Sequence, residues 1–393
     1  MTEVLVDNWL EEKKRQAKTA YENCPIPDKV SHLWKYSDPE CFEYDLKNLP
    51  VCSSGKLKLS VSGNLNNVVI MELSEAYKNE KYKELILKYF GKHTESYPNR
   101  LALLNESIWS SGYFLCLKKN QKVEEPITVK LSSDGVSDFC AVRNLIVLEE
   151  GSSINLIDEI VAENKTPLLI NLVSEIFLDK NSKLNYANIQ LYSKEVTSHN
   201  FQRAKLEEKS ELTNVFIALG GKISKVDLGA NLSKSHAQVT TYGIVLGDNN
   251  QKFDHHTTVE HNAPYTKSDL NFRVALKGKA RSAYTGNLKI SHEAIKSDAH
   301  QENRNLLLSA DAKAESIPEL EILTNDVTRC NHGVTVGQID KDQLYYLMTR
   351  GLEQGEAEQI IIEGFLEPTL SKIPDKALNE EVSLRIKKKL GVV

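Results

Sequence analysis

The sequence predicts a mainly β fold, in which a parallel β-helix lies between helical segments. Helical spacing of apolar residues is confined to about 1–110 and 338–393, whereas 111–337 consists of short runs of Val, Ile, Leu, Thr and Tyr between polar turns. The middle zone also carries an internal repeat of about 30 residues. Stacked repeats bury a core that no single repeat could form, so this period favours a β-helix over the alternative, a β-sandwich.

The repeat has the form leucine, three residues, a small residue, any residue, then an apolar or small one. We expect the leucine to enter the core, the next three residues to turn the chain, and the small residue to pack tightly as the next strand begins. Clear copies begin at Leu148, Leu178 and Leu206, and looser copies begin at Leu276 and Leu308.

The N-terminal zone, 1–110, is predicted to be a mainly helical domain. The first helix ends before Pro25, and two further amphipathic patterns cover about 74–90 and 97–110. The segment 39–67 is predicted to form loops with short strands. We expect the terminal helical zones to cover the open ends of the β-helix, because unpaired strands there would invite association.

The C-terminal zone, 338–393, is predicted to be a second helical domain. Asp340 can cap a helix that Gly351 ends, and further helical segments lie on both sides of Pro368. The run 360–366 is more apolar than an exposed helix requires. It either packs against the β-helix or forms a docking surface for another protein.

Composition narrows the function classes. The 393 residues carry a net charge of -5, without the basic footprint of a nucleic-acid or anionic-membrane binder. No apolar run approaches the ~20 residues of a membrane span, and the N-terminal residues do not resemble a secretory signal. The six cysteines form no CxxC pair. We therefore expect a cytoplasmic protein with reduced thiols.

Common catalytic motifs are missing from the sequence. It contains no GxxxxGK[ST] phosphate loop, no GxGxxG dinucleotide fingerprint and no GxSxG nucleophile elbow. Parallel β-helices also include polysaccharide lyases and hydrolases, but no distinct groove of Asp, Lys or Arg stands out here. We therefore expect a non-catalytic protein that does not hydrolyse ATP by the phosphate-loop route.

A histidine cluster runs through residues 253–261. His255, His256, Glu260 and His261 are residue types that bind zinc or iron. Their spacing fits no standard metal motif. A hydrogen-bonded structural role is favoured, and metal binding stays open as the alternative.

Cys330 and His332 form a sharper pair of candidate ligands. They are two residues apart, so on a strand both side chains point to the same face. A thiolate and an imidazole can bind iron, zinc or copper. Two ligands do not complete a tetrahedral site, so further ligands must come from elsewhere, unless the pair is a coincidence of a partly buried cysteine and a neighbouring histidine.

At these residues the sequence resembles the SufB/SufD family of iron–sulfur cluster assembly proteins, most closely its SufD branch. The resemblance is strongest over about 253–366 and includes the long segment PELEILTNDVTRCNHGVTVGQIDKDQLYYLMTRG. The tetrapeptide WKYS at 34–37 is similar to the family's N-terminal motif. Asn303 stands where SufB has a cluster-related cysteine, and Gly333 where SufB has a glutamate, so both departures point to the SufD branch.

The resemblance implies a fold, partners and a cargo. The fold is a right-handed parallel β-helix flanked by helical domains. The partners are a SufB-like paralogue, bound through the β-helix, and a SufC-like ABC ATPase, bound through 338–393, which supplies the ATP hydrolysis. The cargo is a transient iron–sulfur cluster shared with SufB, with Cys330 and His332 as candidate cluster or iron ligands at the SufB–SufD interface; flavin binding stays open.

Two alternatives within the family remain. The chain could act with SufC as a homodimeric iron–sulfur scaffold, since paralogues in the family share one mode of dimerisation. It could also be a purely structural partner of SufB, in which Cys330 and His332 are incidental.

Overall fold

The computed structural model describes residues 2–28, 30–43, 56–97, 99–133, 138–371, 373 and 376–390. The helices are α1 Thr2–Asn23, α2 Leu73–Ala76, α3 Glu80–Tyr89, α4 Lys92–Ser96, α5 Arg100–Ile108, α6 Lys341–Thr349, α7 Gln354–Leu370 and α8 Lys376–Leu390, with short 3₁₀ helices at His32–Trp34 and Pro39–Phe42. The strands are β1 Lys58–Ser62, β2 Val68–Glu72, β3 Tyr113–Leu117, β4 Lys122–Ser132, β5 Asp138–Leu148, β6 Ser153–Ala162, β7 Leu168–Leu178, β8 Lys183–Tyr192, β9 Val196–Leu206, β10 Glu211–Ala218, β11 Ile223–Leu232, β12 Gln238–Gly247, β13 Lys252–His261, β14 Lys267–Leu276, β15 Arg281–Ile290, β16 Asp298–Leu307, β17 Lys313–Ile322 and β18 Arg329–Gln338.

The strands form two sheets of nine strands each. Sheet 1 has the order β1-β4-β6-β8-β10-β12-β14-β16-β18, and sheet 2 the order β17-β15-β13-β11-β9-β7-β5-β3-β2. All neighbours are parallel except β1 with β4 and β2 with β3. From β3 onward the chain alternates between the sheets and builds a solenoid of about eight turns. The prediction of a parallel β-helix is confirmed, and the β-sandwich alternative is wrong.

The clear copies of the repeat mark the turns that leave sheet 2. Their leucines end β5, β7 and β9 and lie next to one another in register. The residue before each serine adopts a left-handed conformation, with φ between 55° and 69°, and the serine hydroxyl donates to the carbonyl three residues earlier at 2.6–2.7 Å. The small residue therefore closes the turn through a hydrogen bond. The serines are Ser152, Ser182 and Ser210.

The two looser copies of the repeat belong to the other sheet. Leu276 ends β14 in sheet 1, and its partner on β16 is Leu307 rather than Leu308. The looser copies therefore mark turns that leave sheet 1 rather than sheet 2, because a similar turn chemistry occurs at the ends of both sheets.

The N-terminal helices lie against the outer face of sheet 2. Asn105 of α5 donates to the carbonyls of Val142 and Asn171, at 2.8 and 2.9 Å. The single helix predicted over 74–90 is two helices, because the Asn79 side chain accepts a hydrogen bond from the backbone of Lys81 and starts a new helix. Sheet 2 is thus buried on both faces along much of its length.

The C-terminal helices lie against the outer face of sheet 1. Asp340 caps α6 as predicted, accepting from the backbone N–H groups of Asp342 and Gln343. Helix α7 continues through Pro368 instead of stopping there, and its residues Ile362 and Leu366 join an apolar cluster with sheet 1. No helix in the described parts of the chain is long and apolar enough to cross a membrane.

The C-terminal end of the solenoid is open, contrary to the expectation that helices cover it. The helices that the structure describes pack on the faces of the sheets and do not cover the last turn. Inward-facing residues of β17 and β18 are 36–47% exposed, whereas the equivalent residues of earlier turns are buried. These exposed residues are Leu320, Ile322, Val334 and Val336.

Candidate functional site

Cys330 and His332 lie on β18, the last strand of sheet 1. In register they pair with Ala299 and Gln301 of β16, both of which are buried in the interior of the solenoid. Because strand side chains alternate, Cys330 and His332 share the inward face of β18. The structure therefore brings the two predicted ligands together at the rim of the open end.

The two side chains differ in burial. Cys330 is partly buried against the solenoid core, while His332 is exposed. Burial raises the pKa of the Cys330 thiol above its ordinary value. The thiol is therefore protonated at neutral pH in the isolated chain, and it needs a metal ion or a cationic neighbour to become the thiolate ligand.

Within the described part of the chain, the pair is incomplete as a metal site. Among the residues that the structure describes, no three His, Cys, Asp or Glu side chains converge on one point that could hold a metal ion. Iron–sulfur clusters and structural zinc sites take four protein ligands. Cys330 and His332 could supply two of them at most, and the described residues do not bring further donors to the pair.

The edge around the pair is suited to strand addition. Strands β17 and β18 each have a neighbour on one side only, so each presents a row of unpaired backbone groups. Leu320, Ile322, Val334 and Val336 expose apolar surface beside them. This combination of free strand edges and exposed apolar side chains is typical of an interface.

The other described cysteines are poorer ligand candidates. Burial raises the pKa of Cys116 to about 11 and that of Cys140 to about 12, which keeps both protonated. Cys24 follows α1 and is partly buried, and Cys41 lies in the 3₁₀ helix Pro39–Phe42 and is exposed. Cys52 lies outside the described residues.

The histidine cluster is divided between the two faces of β13. His261 points inward and hydrogen-bonds to Thr266 and Ser268 at 2.8 and 2.9 Å. His255 also points inward, and burial lowers its pKa to about 3. His256 points outward to Asp254, at 2.8 Å. These contacts support the structural interpretation and separate the potential ligands.

A buried ion pair that sequence reasoning missed lies next to His256. The Lys225 ammonium donates to Asp254 at 2.9 Å and to the Leu33 carbonyl at 2.6 Å, and it lies 4.5 Å from the centre of the Trp34 ring. Ser37 donates to the same carboxylate at 2.5 Å. The predicted WKYS motif is thereby fixed to the outer face of sheet 2.

The WKYS segment follows one column of side chains along the solenoid. Lys225, Asp254, Ala283 and Glu315 are successive register partners on β11, β13, β15 and β17. Tyr36 reaches Glu315, and this hydrogen bond raises the pKa of the phenol. The motif therefore spans four strands and ends at the sheet's last strand.

A carboxyl group is also buried inside the solenoid, near its other end. Asp158 accepts hydrogen bonds from the Tyr113 and Tyr186 hydroxyls at 3.0 and 2.7 Å. Burial, only partly offset by these donors, raises its pKa to about 6. Folding therefore makes this carboxyl group harder to ionise, so that it loses its proton near pH 6 rather than near pH 4.

Replacing Asp158 with asparagine should remove a pH-dependent destabilisation. Because the folded-state pKa is raised above the unfolded value of 3.8, Asp158 supports the fold best at low pH and loses that contribution as the pH rises through 6. The unfolding free energy of Asp158→Asn minus that of the parent should therefore be about 1 to 2 kcal/mol larger at pH 8 than at pH 5. Urea unfolding at both pH values measures it. Exposed Asp311→Asn is the control, and an equal change at both pH values would contradict the assignment.

The sequence matches a known protein family and several of its members. Residues 131–365 match the SufBD core domain of the SUF system for FeS cluster assembly. The chain is 28% identical to the iron–sulfur cluster assembly protein SufD of Bacillus subtilis over 338 residues, 84% of this chain and 76% of that protein.

A similar match comes from an iron–sulfur cluster assembly SufBD family protein of Staphylococcus epidermidis, 28% identical over 295 residues and 74% of this chain. It covers 63% of the staphylococcal protein, so the chain spans less than two thirds of that relative's length. The matched core domain takes in more than half of the chain, and it includes the solenoid from β5 to β18 with Cys330 and His332. The chain belongs to the SufBD family.

Proposed function

We propose that this chain is a SufD-like, non-catalytic scaffold subunit of a cytoplasmic SufB–SufC–SufD complex that assembles iron–sulfur clusters for transfer to apo-proteins. The observation that carries the proposal is the position of Cys330 and His332, side by side on the inward face of the last strand of an open solenoid. The names of the relatives, which are iron–sulfur cluster assembly proteins, supply the cargo.

A SufB-like paralogue is the proposed partner at the open end. Its own last strands would pair with the free edges of β17 and β18 and cover the apolar rim. It would also bring ligands to the face that carries Cys330 and His332. A cluster divided between two chains can be held and then released by a modest movement of one chain relative to the other.

A SufC-like ATPase is the proposed partner of the C-terminal helices. Helix α7 buries Ile362 and Leu366 against sheet 1, whereas Tyr345 and Met348 of α6 and Ile360 of α7 stay 40–70% exposed. Packing against the β-helix and docking of another protein, the two interpretations of the apolar C-terminal run, therefore both have support. One side of the helices packs against sheet 1, and the other side exposes apolar side chains. ATP-driven movement of SufC would pull on these helices and open the shared site.

The composition of the complex is the first test. Light scattering after size-exclusion chromatography should give a stable complex of this chain with the SufB-like and SufC-like proteins of the same organism, near one SufB, one SufD and two SufC. A homodimer that ignores both partners would favour the self-sufficient scaffold. Loss of the SufB contact on Val334→Lys or Val336→Lys, with binding kept in Lys252→Met, would assign the interface to β18.

The second test concerns the ligands. In the assembled complex, Cys330→Ser and His332→Ala should each lower the iron and sulfide retained per complex, with a loss of metal affinity greater than the roughly 10- to 100-fold that outer-sphere changes typically cause. Asn331→Ala is the matched control, because Asn331 lies between them and faces the other way. If the double variant Cys330→Ser/His332→Ala forms clusters like the parent, the chain is a purely structural partner of SufB.

A further inference from the structure

A buried glutamine lies directly behind His332. Gln301 on β16 is the register partner of His332, faces the same interior, and is only 1% exposed. Neither its amide nitrogen nor its amide oxygen has a hydrogen-bond partner among the described residues. A buried polar group without a partner costs about 1–3 kcal/mol, so a side chain with two such atoms calls for a ligand, a water or a functional role.

Gln301 crosses the interior of the solenoid, from sheet 1 to sheet 2. A methyl group placed on Gly286 of β15 would lie 2.1 Å from the Gln301 amide nitrogen. The glycine therefore provides the space in which the amide lies. Gly286 pairs in register with Pro318 of β17, as Gln301 pairs with His332 of β18, so the amide forms the floor beneath the last turn.

Neighbouring amides on the same strand are better satisfied. Asn305 donates to Asn303 at 2.5 Å and to the Thr335 carbonyl at 3.1 Å. These two side chains thus hold each other in place, even though Asn303 keeps one amide nitrogen and Asn305 its amide oxygen without a partner. Gln301 is the member of this row whose amide nitrogen and amide oxygen both lack a partner among the described residues, so both atoms are available to a ligand at the open end.

We propose that Gln301 is a positioning residue for the iron–sulfur cargo. Its amide oxygen accepts the ring N–H of His332 when the other ring nitrogen binds iron, and its amide N–H donates to a sulfide of the nascent cluster. The first contact fixes the tautomer and orientation of the ligand, as partners of metal-bound histidines commonly do. The second is a hydrogen bond to sulfur of the kind that tunes cluster stability and potential. The proposal rests on the proposed function, because it needs a cluster at His332.

The test uses the assembled complex with partner proteins, loaded with iron and sulfide. Gln301→Leu keeps the volume and removes both polar atoms, Gln301→Glu keeps the acceptor and removes the donor, and Gly286→Ala takes away the space but leaves the amide. Gln190→Leu is the matched control, since Gln190 is an interior glutamine on β8, 1% exposed and with an unpartnered amide nitrogen, far from the open end. Thermal unfolding and complex mass establish that each variant folds and assembles.

The expected result is a selective effect at the cluster. Gln301→Leu and Gly286→Ala should shorten the lifetime of the cluster under chelator challenge by about tenfold or more. They should also change the histidine nitrogen hyperfine coupling of the reduced cluster in pulsed EPR, a signal that a merely structural role would not move. Gln301→Glu should restore the hyperfine coupling but not the lifetime, and Gln190→Leu should match the parent in both.

Two outcomes would overturn the inference, and they can be told apart. If His332→Ala destroys the parent signal while Gln301→Leu leaves both lifetime and coupling unchanged, the positioning role is wrong and the proposed function stands. If His332→Ala also leaves both unchanged, the proposed site fails, and the role of Gln301 fails with it. An equal loss in Gln190→Leu and Gln301→Leu would assign the effect to general packing and would also overturn it.

Discussion

Replacing Arg143 with methionine should lower the free energy of unfolding by about 3 to 5 kcal/mol. The Arg143 side chain is fully buried on the outer face of sheet 2, where its guanidinium donates to Glu175 at 2.6 Å and to Glu106 at 3.2 Å. Both carboxylates are buried as well. The substitution therefore leaves two acidic groups inside the protein without their cation, which costs far more than losing a surface pair.

The loss should extend to the N-terminal helices, because the same ion pair connects them to the sheet. The Glu175 carboxylate also accepts the backbone N–H groups of Gly91 and His93 at the start of α4, both at 2.9 Å. Arg143 reaches Thr94 of α4 at 3.0 Å. We therefore expect amide hydrogen exchange in α4 and α5 to accelerate more than exchange in the solenoid.

Urea unfolding measures the size of the effect. Glu149→Gln is a matched control, because it breaks the exposed Lys118–Glu149 pair and should cost no more than about 1 kcal/mol. The triple variant Arg143→Met/Glu106→Gln/Glu175→Gln should recover much of the loss, because no charge then stays unpaired. If Arg143→Met costs as little as Glu149→Gln, the ion pair does not hold the helical layer to the sheet.

The solenoid could be predicted from the sequence because its turns repeat a local chemistry. A leucine, a residue that can adopt a left-handed conformation and a serine recur about every 30 residues, and each of these features is visible in a single copy. The shared face of Cys330 and His332 could be predicted for the same reason, since alternation along a strand needs no tertiary information. That β18 is the last strand, with an open edge, depends on how the following helices pack.

The buried ion pairs could not be predicted, because they depend on which face of a strand is covered. Lys225 alternates with apolar residues along β11, a pattern typical of a strand with one solvated face, and Arg143 is a single cation in the largely apolar β5, with no acidic partner on its own strand near it. The N-terminal helices and the WKYS segment cover that face instead. Their position results from long-range contacts, such as that between Ser37 and Asp254, which are 217 residues apart in the chain.

Gln301 was missed for a related reason. A polar residue in a strand is assigned to the outer face unless the register is known, and the space that the amide needs comes from Gly286, on a strand of the opposite sheet. Neither residue stands out within its own segment. Only the pairing of β16 with β18 places the glutamine behind His332.

Replacing Lys225 with methionine should also cost about 3 to 5 kcal/mol at neutral pH. Burial disfavours ionisation of Asp254, but the hydrogen bond from His256 and the charge of Lys225 hold its pKa well below the usual range. Because the folded pKa is depressed, this carboxylate stabilises the fold above its unfolded pKa and loses the contribution as the pH falls. Without Lys225 the ionised group is poorly compensated, so the difference between variant and parent should narrow on acidification.

The same substitution should release the WKYS segment. Lys225 holds the Leu33 carbonyl and the Trp34 ring, so its loss removes two of the contacts that fix the segment to sheet 2. We expect faster proteolysis within 24–43 and a red shift of tryptophan emission, while Lys252→Met at an exposed position should change neither.

The double variant Lys225→Met/Asp254→Asn separates charge from packing. If the unpaired carboxylate causes the loss of stability, the double variant recovers most of it and loses its pH dependence, yet the segment stays protease-sensitive because the Leu33 contact is still missing. If stability is not recovered, packing of the lysine stem against Trp34 carries the effect instead. The WKYS motif would then act as an apolar clamp, and Ser37→Ala should be tolerated far better than Trp34→Ala.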